Sequence, residues 1–578
     1  MPEYLAPGVF VEETSFRSKS IEGVSTSTTA FVGPTRSGPV GAIPELLTSF
    51  ADFERIYGGL DNLDYAGAND PKTNYLAHAV MAYFNEGGAR LYVTRVAGAS
   101  VASEGADLVT SPARLSKFVA RFPGAFGGTT INPAVITIEL KASASSTAAA
   151  TKAIDGSFLR INANTPVLLA KQGGVWRGSG GGAHTFTAAN ETAGMDLLTL
   201  KVTTLDGDGH LTEYDDLGLD PLHKRYIGVI LAKTPSTAAA QLSQAFAFDV
   251  AATVTAFQLH TAFQPDAGSA VKTISLTNGT DVVPTLQNYL DALEIVEGLE
   301  GVSIVASPGH TEFPTLVTSG SNGVTLALLS HAEQRRAYRI AVLDVPKGQL
   351  LSGAQAFKGK IDSKYAALYY PWVVAPNPDF NPADPYLPAE LLLPPSGFVC
   401  GIYARSDTER GVHKAPANEI VRSAVRFERL VTTGEQEVLN PLGINCLRFF
   451  SGRGNRVWGA RTTSSDPEWK YVNVRRYFLY LEQSIDRGTQ WAVFEPNGER
   501  LWANVRDTIT SFLHNEWVNG ALLGDKPEQA FFVKCDRTTM TQNDLDNGRL
   551  ICLVGVAAIK PAEFVVFRIG QKTADSRA

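Results

Sequence analysis

The sequence predicts a multidomain α/β (α+β) protein. A mixed-sheet α/β core carries an inserted β-rich outer region and extended β-prone terminal arms. Three observations lead there. First, β-branched apolar runs alternate with helical periodicities over 25–98 and again from about 300 onward, which favours a parallel or mixed sheet. Second, between 99 and 300 the composition shifts to Ala, Gly, Ser and Thr, as in KASASSTAAATKA and RGSGGGAH. Third, Gly443–Gly524 holds five of the seven tryptophans: Trp458, Trp469, Trp491, Trp502 and Trp517. Large aromatics dominate burial, so this stretch is expected to be the most densely packed part of the molecule.

Taken in order, residues 1–24 read as an arm. Pro2, Pro7 and Gly8 precede the β-prone GVFVEE, and SFRSKSIEG follows as a polar tether. A strand separated from its own domain has unpaired backbone groups and must pair with some sheet edge. The sequence VSTSTTAFVG is a strand, LAHAVMAYFNEGG a helix and ARLYVTRV a strand, giving the first part of the core (25–98). The insertion (99–300) contains AVITIEL and LLTLKVTTL as β pieces. An insertion of this kind costs its host little loop-closure entropy.

The core resumes over 301–440 with GVSIVASPG, RIAVLDVP and YAALYYPWVVAPNP as buried strands. PPSGFVCGIYARSDTERGVHKAPANEIVR is expected to run strand, helix, loop. In the C-terminal unit (441–560), Val474, Tyr477, Phe478, Leu481 and Ile485 recur at helical spacing. WAVFE follows as a short buried strand with PNGE as its turn. Leu501, Val505, Ile509, Phe512, Leu513 and Trp517 make a second helical stripe. QAFFVKCD is a strand, TTMTQNDLDNGR a polar loop or hairpin tip, and RLICLVGVAAIKPAEFVVFRIGQ two strands broken at Pro561, the last lying in a C-terminal arm (561–578).

The bulk numbers bound the function. A chain of 578 residues exceeds one hydrophobic core. A net charge of −7 argues against a general nucleic-acid binder. No apolar run is long enough to span a membrane and no signal peptide is visible, so the expectation is a protein made in a cytoplasm. Cys400, Cys446, Cys535 and Cys552 form no CxxC pair and read as thiols in a reducing compartment.

No catalytic motif emerges. GRGNRVWG (452–459) lacks the Gly-Lys-Ser/Thr ending of a phosphate loop and reads as a tight turn. There is no HExxH. Asp206-Gly207-Asp208-Gly209 starts like a calcium loop, but His210 and Leu211 occupy positions that need an oxygen ligand and a glycine. Asp407, Glu409 and Glu419 lie near arginines, which suits ion pairing better than acid–base work. No metal and no cofactor is expected.

PGVFVEE, followed by AFVG and GP, resembles the start of contractile tail sheath proteins. GIYARSDTERGVHKAPAN, LNPLGIN, RFFSGRGNRVWGARTTSSD, YVNVRRYFLYLEQSI, QWAVFEPN, AFFVKCD and PAEFVVFRI resemble that family in the same order. The resemblance covers 1–98 and 300–572 in patches. It implies a structural subunit rather than an enzyme: a homo-oligomer of stacked hexameric rings in a helical polymer around an inner tube protein, with baseplate and tail terminator proteins as further partners. It also implies assembly in a bacterial cytoplasm, ending in a phage tail or a phage-tail-like particle, and contraction that drives the tube through an envelope. Inserted domains would lie outward and the C-terminal domain inward. Terminal arms would add strands to sheets of neighbouring subunits.

On that footing Val9, Phe10 and Val11 are candidates for one exchanged strand and Phe564, Val565, Val566 and Phe567 for another. Arg453, Arg456, Arg461, Arg506, Asp507 and Glu516 are candidates for tube-facing or inter-subunit charge contacts, with pairing inside the subunit as the simpler alternative. Two other readings stay open: a static tube- or surface-layer-type protein, and an enzyme without a recognisable motif.

Overall fold

The structure, a computed structural model, describes residues 20–567 apart from 66–71, 110–114, 131, 314–322 and 384–386. Its centre is an eight-stranded mixed sheet. Numbered along the chain, the strands are β1 (Thr29–Gly33), β2 (Leu91–Arg95), β3 (Ile304–Ala306), β4 (Ile340–Asp344), β5 (Ala366–Tyr370), β6 (Glu419–Ile420), β7 (Ile444–Phe450) and β8 (Gly454–Trp458). In space they run β6-β8-β7-β5-β4-β3-β1-β2. From β7 to β2 every pairing is parallel, with Ala30 opposite both Val305 and Tyr92. β8 returns antiparallel to β7, and β6 is antiparallel to β8. GRGNRVWG thus supplies the turn and second strand of a hairpin, with Gly452 and Gly454 at positive φ.

Parallel strands need long crossovers, and helices supply them. The helices used below are α1 (Tyr75–Asn85), α2 (Leu286–Glu297), α3 (Gly323–Glu333), α4 (Pro395–Arg410), α5 (Val472–Gly488) and α6 (Glu499–Val518). Alternation along each strand sends neighbouring residues to opposite faces. Phe31, Val93, Val342 and Tyr369 pack with α1 and α4. Ala30, Val32, Leu343 and Leu368 pack with α2 and α3. Covered on both faces, these strands read as continuous apolar runs, as observed in the sequence. Helices α1 and α4 approach closely because Gly397 and Gly401 of α4 face α1: a Cβ on Gly397 would meet Ala79 Cα at 2.7 Å, and one on Gly401 would meet the Tyr83 carbonyl at 2.5 Å.

The crossover from β2 to β3 carries a second, antiparallel sheet of seven strands. Ala134–Ser145 pairs with Lys272–Leu276 and Met195–Leu205, and the latter also with Phe158–Ile161 and Leu211–Leu217. Ile136, Ile138, Leu200 and Val202 line its core. Among the described residues, ion pairs link this region to the rest of the core: Arg36 with Asp208, and Arg95 with Asp281 at 3.5 Å. Asp208 of the DGDG segment is therefore the counter-charge of an arginine.

Several sequence expectations are corrected. PPSGFVC is not a strand: α4 starts at Pro395, where the missing N–H costs nothing. The Asp344 carboxylate accepts hydrogen bonds from Ser396 N (2.7 Å) and Oγ (2.6 Å) at that end. WAVFE is not a buried strand either. It is a 3-10 turn, Gln490–Ala492, followed by exposed Val493 and fully exposed Phe494 at φ 67°. TTMTQNDLDNGR joins two strands as expected but contains a helix, Gln542–Asp546, with a Thr541 capping box. Only one strand, Leu553–Val556, forms between 549 and 567. The tryptophans of 443–524 do not mark the densest packing. Of those five only Trp502 is buried, while Trp372, outside the stretch, is fully enclosed and donates to the Val345 carbonyl at 2.7 Å.

Candidate functional site

The C-terminal lobe holds the features that could join one chain to another. Its helices form because their apolar residues recur at 3.6-residue spacing. Leu501, Val505, Ile509, Phe512 and Leu513 of α6 are buried as expected, against Tyr477 and Leu481 of α5. α5 is buried on nearly every side, polar residues included. Its Arg476 donates to both Asp407 oxygens (2.9 and 2.5 Å), with both side chains 3% exposed. Burial alone would lower the Arg476 guanidinium, but Asp407 outweighs it and holds the pKa raised. Asp407 also accepts from Thr26 Oγ1 at 2.6 Å, Arg476 donates to the Thr26 carbonyl, and Val24 N donates to Ser484 Oγ at 3.1 Å. Ile21 is buried in the same apolar cluster. The last residues of the expected polar tether are therefore fastened to α5. Val9, Phe10 and Val11 lie outside the described residues.

Behind α6 sits a two-stranded antiparallel sheet, Phe531–Lys534 with Leu553–Val556. One face, with Phe531, Val533 and Val556, joins the lobe's apolar cluster. Phe532 and Leu553 on the other face are exposed. Among the described residues no third strand pairs with it.

From this hairpin the chain runs to Glu563, where it is clamped. Glu563 Oε1 accepts from Arg461 Nε (2.7 Å) and Asn440 Nδ2 (2.8 Å). Oε2 accepts from Arg461 Nη2 (2.6 Å) and the Tyr471 hydroxyl (3.0 Å), and Lys470 Nζ lies at 3.5 Å. Burial by itself would raise this carboxyl. The hydrogen bonds from Arg461 and Asn440 and the Arg461 charge outweigh burial and hold it at about 2. Immediately beyond, Phe564, Val565, Val566 and Phe567 are 71, 69, 77 and 83% exposed and belong to no strand. Four consecutive large apolar side chains in water form an unsatisfied surface.

The candidate charged residues do not form one patch. Arg461 pairs within its own chain, as described. Arg453 stacks over Phe450 and Trp458, and Arg456 donates to the Arg453 and Asn418 carbonyls. Glu516 accepts from the Tyr477 and Tyr480 hydroxyls at 3.1 and 3.0 Å, and burial together with that carboxylate pushes both phenols up. Arg506 and Asp507 pair with each other at 3.4 Å with side chains 42% and 71% exposed, and Arg453 is exposed as well. Sequence reading missed Glu563, whereas Asp407 pairs with an arginine as expected and the strands either side of TTMTQNDLDNGR form the expected hairpin. The one local signal was an acid placed directly before an apolar run.

As for chemistry, Glu419 pairs with Lys414 and Arg405. Among the described residues no group of three or more His, Cys, Asp or Glu is placed to hold a metal, and no helix is long and apolar enough to cross a membrane.

Comparison with known proteins bears on this lobe directly. The phage tail sheath protein central domain matches residues 283–463, and the phage tail sheath C-terminal domain matches 464–572. Together they cover half of the chain. A putative prophage major tail sheath protein of Pseudomonas aeruginosa (strain UCBPP-PA14) is 25% identical over 46% of this chain and 64% of its own length. The tail sheath protein of Escherichia phage P2 is 28% identical over 25% of this chain and 38% of its own. The chain thus spans less than two thirds of these relatives. The helical sheath of the anti-feeding prophage in its contracted state aligns over 99% of this chain and 100% of that one, with 23% identity and a TM-score of 0.54, a likeness of fold.

Proposed function

The chain belongs to the phage tail sheath protein family as a structural sheath subunit, and from that premise we propose that its copies are knitted together by strand addition at the C-terminal hairpin. The observation that carries this reading is the pairing of two features on one lobe. A two-stranded sheet lacks further strands among the described residues, and an exposed apolar segment, Phe564–Phe567, follows it along the chain from the Glu563 clamp. A strand added to an open edge gains backbone hydrogen bonds whatever its sequence, while alternate side chains fill the apolar face. The N-terminal segment with Val9, Phe10 and Val11 is the second donor.

Head-to-tail contacts of this kind generate open helical arrays. We place stacked hexameric rings around an inner tube, with baseplate and terminator proteins at the ends, and contraction as the output. No step of that output is enzymatic: extra surface buried between subunits in the compact state supplies the work. The lobe from 441 to 560 faces the tube, with Arg506 and Asp507 in the contact, and the inserted β-rich region lies outward. Assembly takes place in a bacterial cytoplasm and the product is a phage tail or a tail-like particle.

The test is electron microscopy of the expressed chain and two truncations. The full chain is expected to form hollow cylinders. Deletion of 564–578, or of 1–19, leaves folded protein with an unchanged circular dichroism spectrum that no longer polymerises. Cylinders of the same geometry from either truncation overturn the strand-addition reading.

A further inference from the structure

The four cysteines fall into two kinds. Cys400, on α4, and Cys446, on β7, are fully buried in the apolar clusters on opposite faces of the central sheet. The sheet keeps them apart. Cys535 and Cys552 lie together at the loop end of the C-terminal hairpin. Lys534 opposite Leu553 is the last pair of its antiparallel register, so the next residues along the two chains are Cys535 and Cys552. Each thiol perturbs the other. Cys535 is buried and Cys552 is partly exposed in the same apolar cluster. Directly opposed residues of an antiparallel pair have Cα atoms about 4.5–5.5 Å apart, within the roughly 4.4–6.8 Å that a disulfide requires.

We propose that Cys535 and Cys552 are a redox site, forming a reversible cross-strand disulfide when the protein passes from a reducing to an oxidising medium. The oxidant is a small-molecule disulfide of the glutathione type. The Cys552 thiolate, on the exposed side, attacks one sulfur of that disulfide, forms a mixed disulfide and releases one thiolate. The Cys535 thiolate then attacks the Cys552 sulfur, forms the protein disulfide and releases the second. The two cysteines lose two electrons, the small disulfide gains them, and the two protons given up by Cys535 and Cys552 end on the released thiolates.

Burial pushes both thiols up, Cys552 to about 12. The attacking thiolate is thus scarce near neutrality, and the pair stays reduced in a thiol-rich compartment. Once made, the bond closes the loop 536–551 and stops the hairpin fraying from that end. The bond stands independently of the strand-addition reading. Its consequence for the polymer, a strand-accepting hairpin that is locked, rests on it.

The test takes the full chain, prepared under dithiothreitol and then held in oxidised glutathione. It is trapped with N-ethylmaleimide, digested and weighed by mass spectrometry. The expected product is a Cys535–Cys552 linked peptide, lighter by two hydrogens, closed to the maleimide and reopened by dithiothreitol. Cys400 and Cys446 react only after denaturation. Cys535→Ser abolishes the linked peptide and leaves Cys552 as the glutathione adduct. In the wild type, a Cys552 glutathione adduct without the link, two alkylated thiols, or a link between chains on a non-reducing gel overturns the site. If the link forms but oxidised and reduced polymers dissociate at the same denaturant concentration, the locking role falls and the site stands.

Discussion

Replacing Glu563 with glutamine should free the C-terminal arm at its root. The native carboxyl is held at about 2 against an ordinary 4.5. That difference of about 2.5 pH corresponds to roughly 3.4 kcal/mol as a ceiling. The side chain is 19% exposed, so solvent screening reduces the contribution to about 2 kcal/mol. Glutamine keeps one acceptor but leaves the Arg461 charge, 8% exposed, without its counter-ion. The appropriate readout is local, because a chain with several units has no single unfolding free energy. Amide hydrogen exchange across 557–567 should accelerate about 30-fold at pH 7 in Glu563→Gln. The sign with pH follows from the depressed value. The stabilisation is complete above the unfolded value of 4.5 and disappears as pH falls towards about 2. After correction for intrinsic exchange, the gap between wild type and variant should shrink to less than half by pH 3. Equal exchange at pH 7, or a gap that does not shrink in acid, would refute the clamp.

Two further substitutions probe the body to which the arms are attached. Gly401→Val puts a side chain 2.5 Å from the Tyr83 carbonyl on α1. A backbone oxygen cannot step aside, so the unit that holds α1 and α4 is expected to lose about 3 kcal/mol and to melt at a lower temperature in its own transition, whereas Gly434→Ala, with nothing within 4 Å, should not lower it. Phe494→Gly removes a fully exposed ring from φ 67° and relieves about 1 kcal/mol of backbone strain. Its unfolding temperature should be unchanged or higher, and a clear fall would mean that the ring is held by contacts within the chain.

The sequence was most readable where structure is set locally. The stripes of α5 and α6 follow from 3.6-residue spacing, and the doubly covered strands announce themselves as unbroken apolar runs. What escaped reading depends on distant partners. Arg476 looks like a surface residue until Asp407, 69 positions away, is packed beside it. Arg461 looks available to a neighbouring chain until Glu563, 102 positions on, closes around it. WAVFE has the composition of a strand, but among the described residues no strand pairs with it, and the chain turns there instead. The tryptophans misled for a related reason. Trp458 belongs to β8 of the central sheet and Trp502 to the C-terminal lobe, so nearness in sequence did not make one core.

The energetics of the arm explain why it needs both a clamp and a polymer. If Phe564–Phe567 joined a sheet, alternation would bury two of its four side chains, worth roughly 3–6 kcal/mol. Ordering four backbones costs roughly 4–8 kcal/mol. Three or four new hydrogen bonds return about 2–6 kcal/mol net. At mid-range the balance is roughly 2–3 kcal/mol in favour, so one arm alone adds too weakly to hold two free subunits together. Fastening its root at Glu563 lowers the ordering cost, since one end of the strand is already placed. The N-terminal chain is fastened to the same lobe through Ile21, Val24 and Thr26. If both arms donate strands as proposed, a subunit arriving at an existing polymer would make several marginal pairings at once. Their sum is large where each is small, which favours growth on a preformed edge over association in solution.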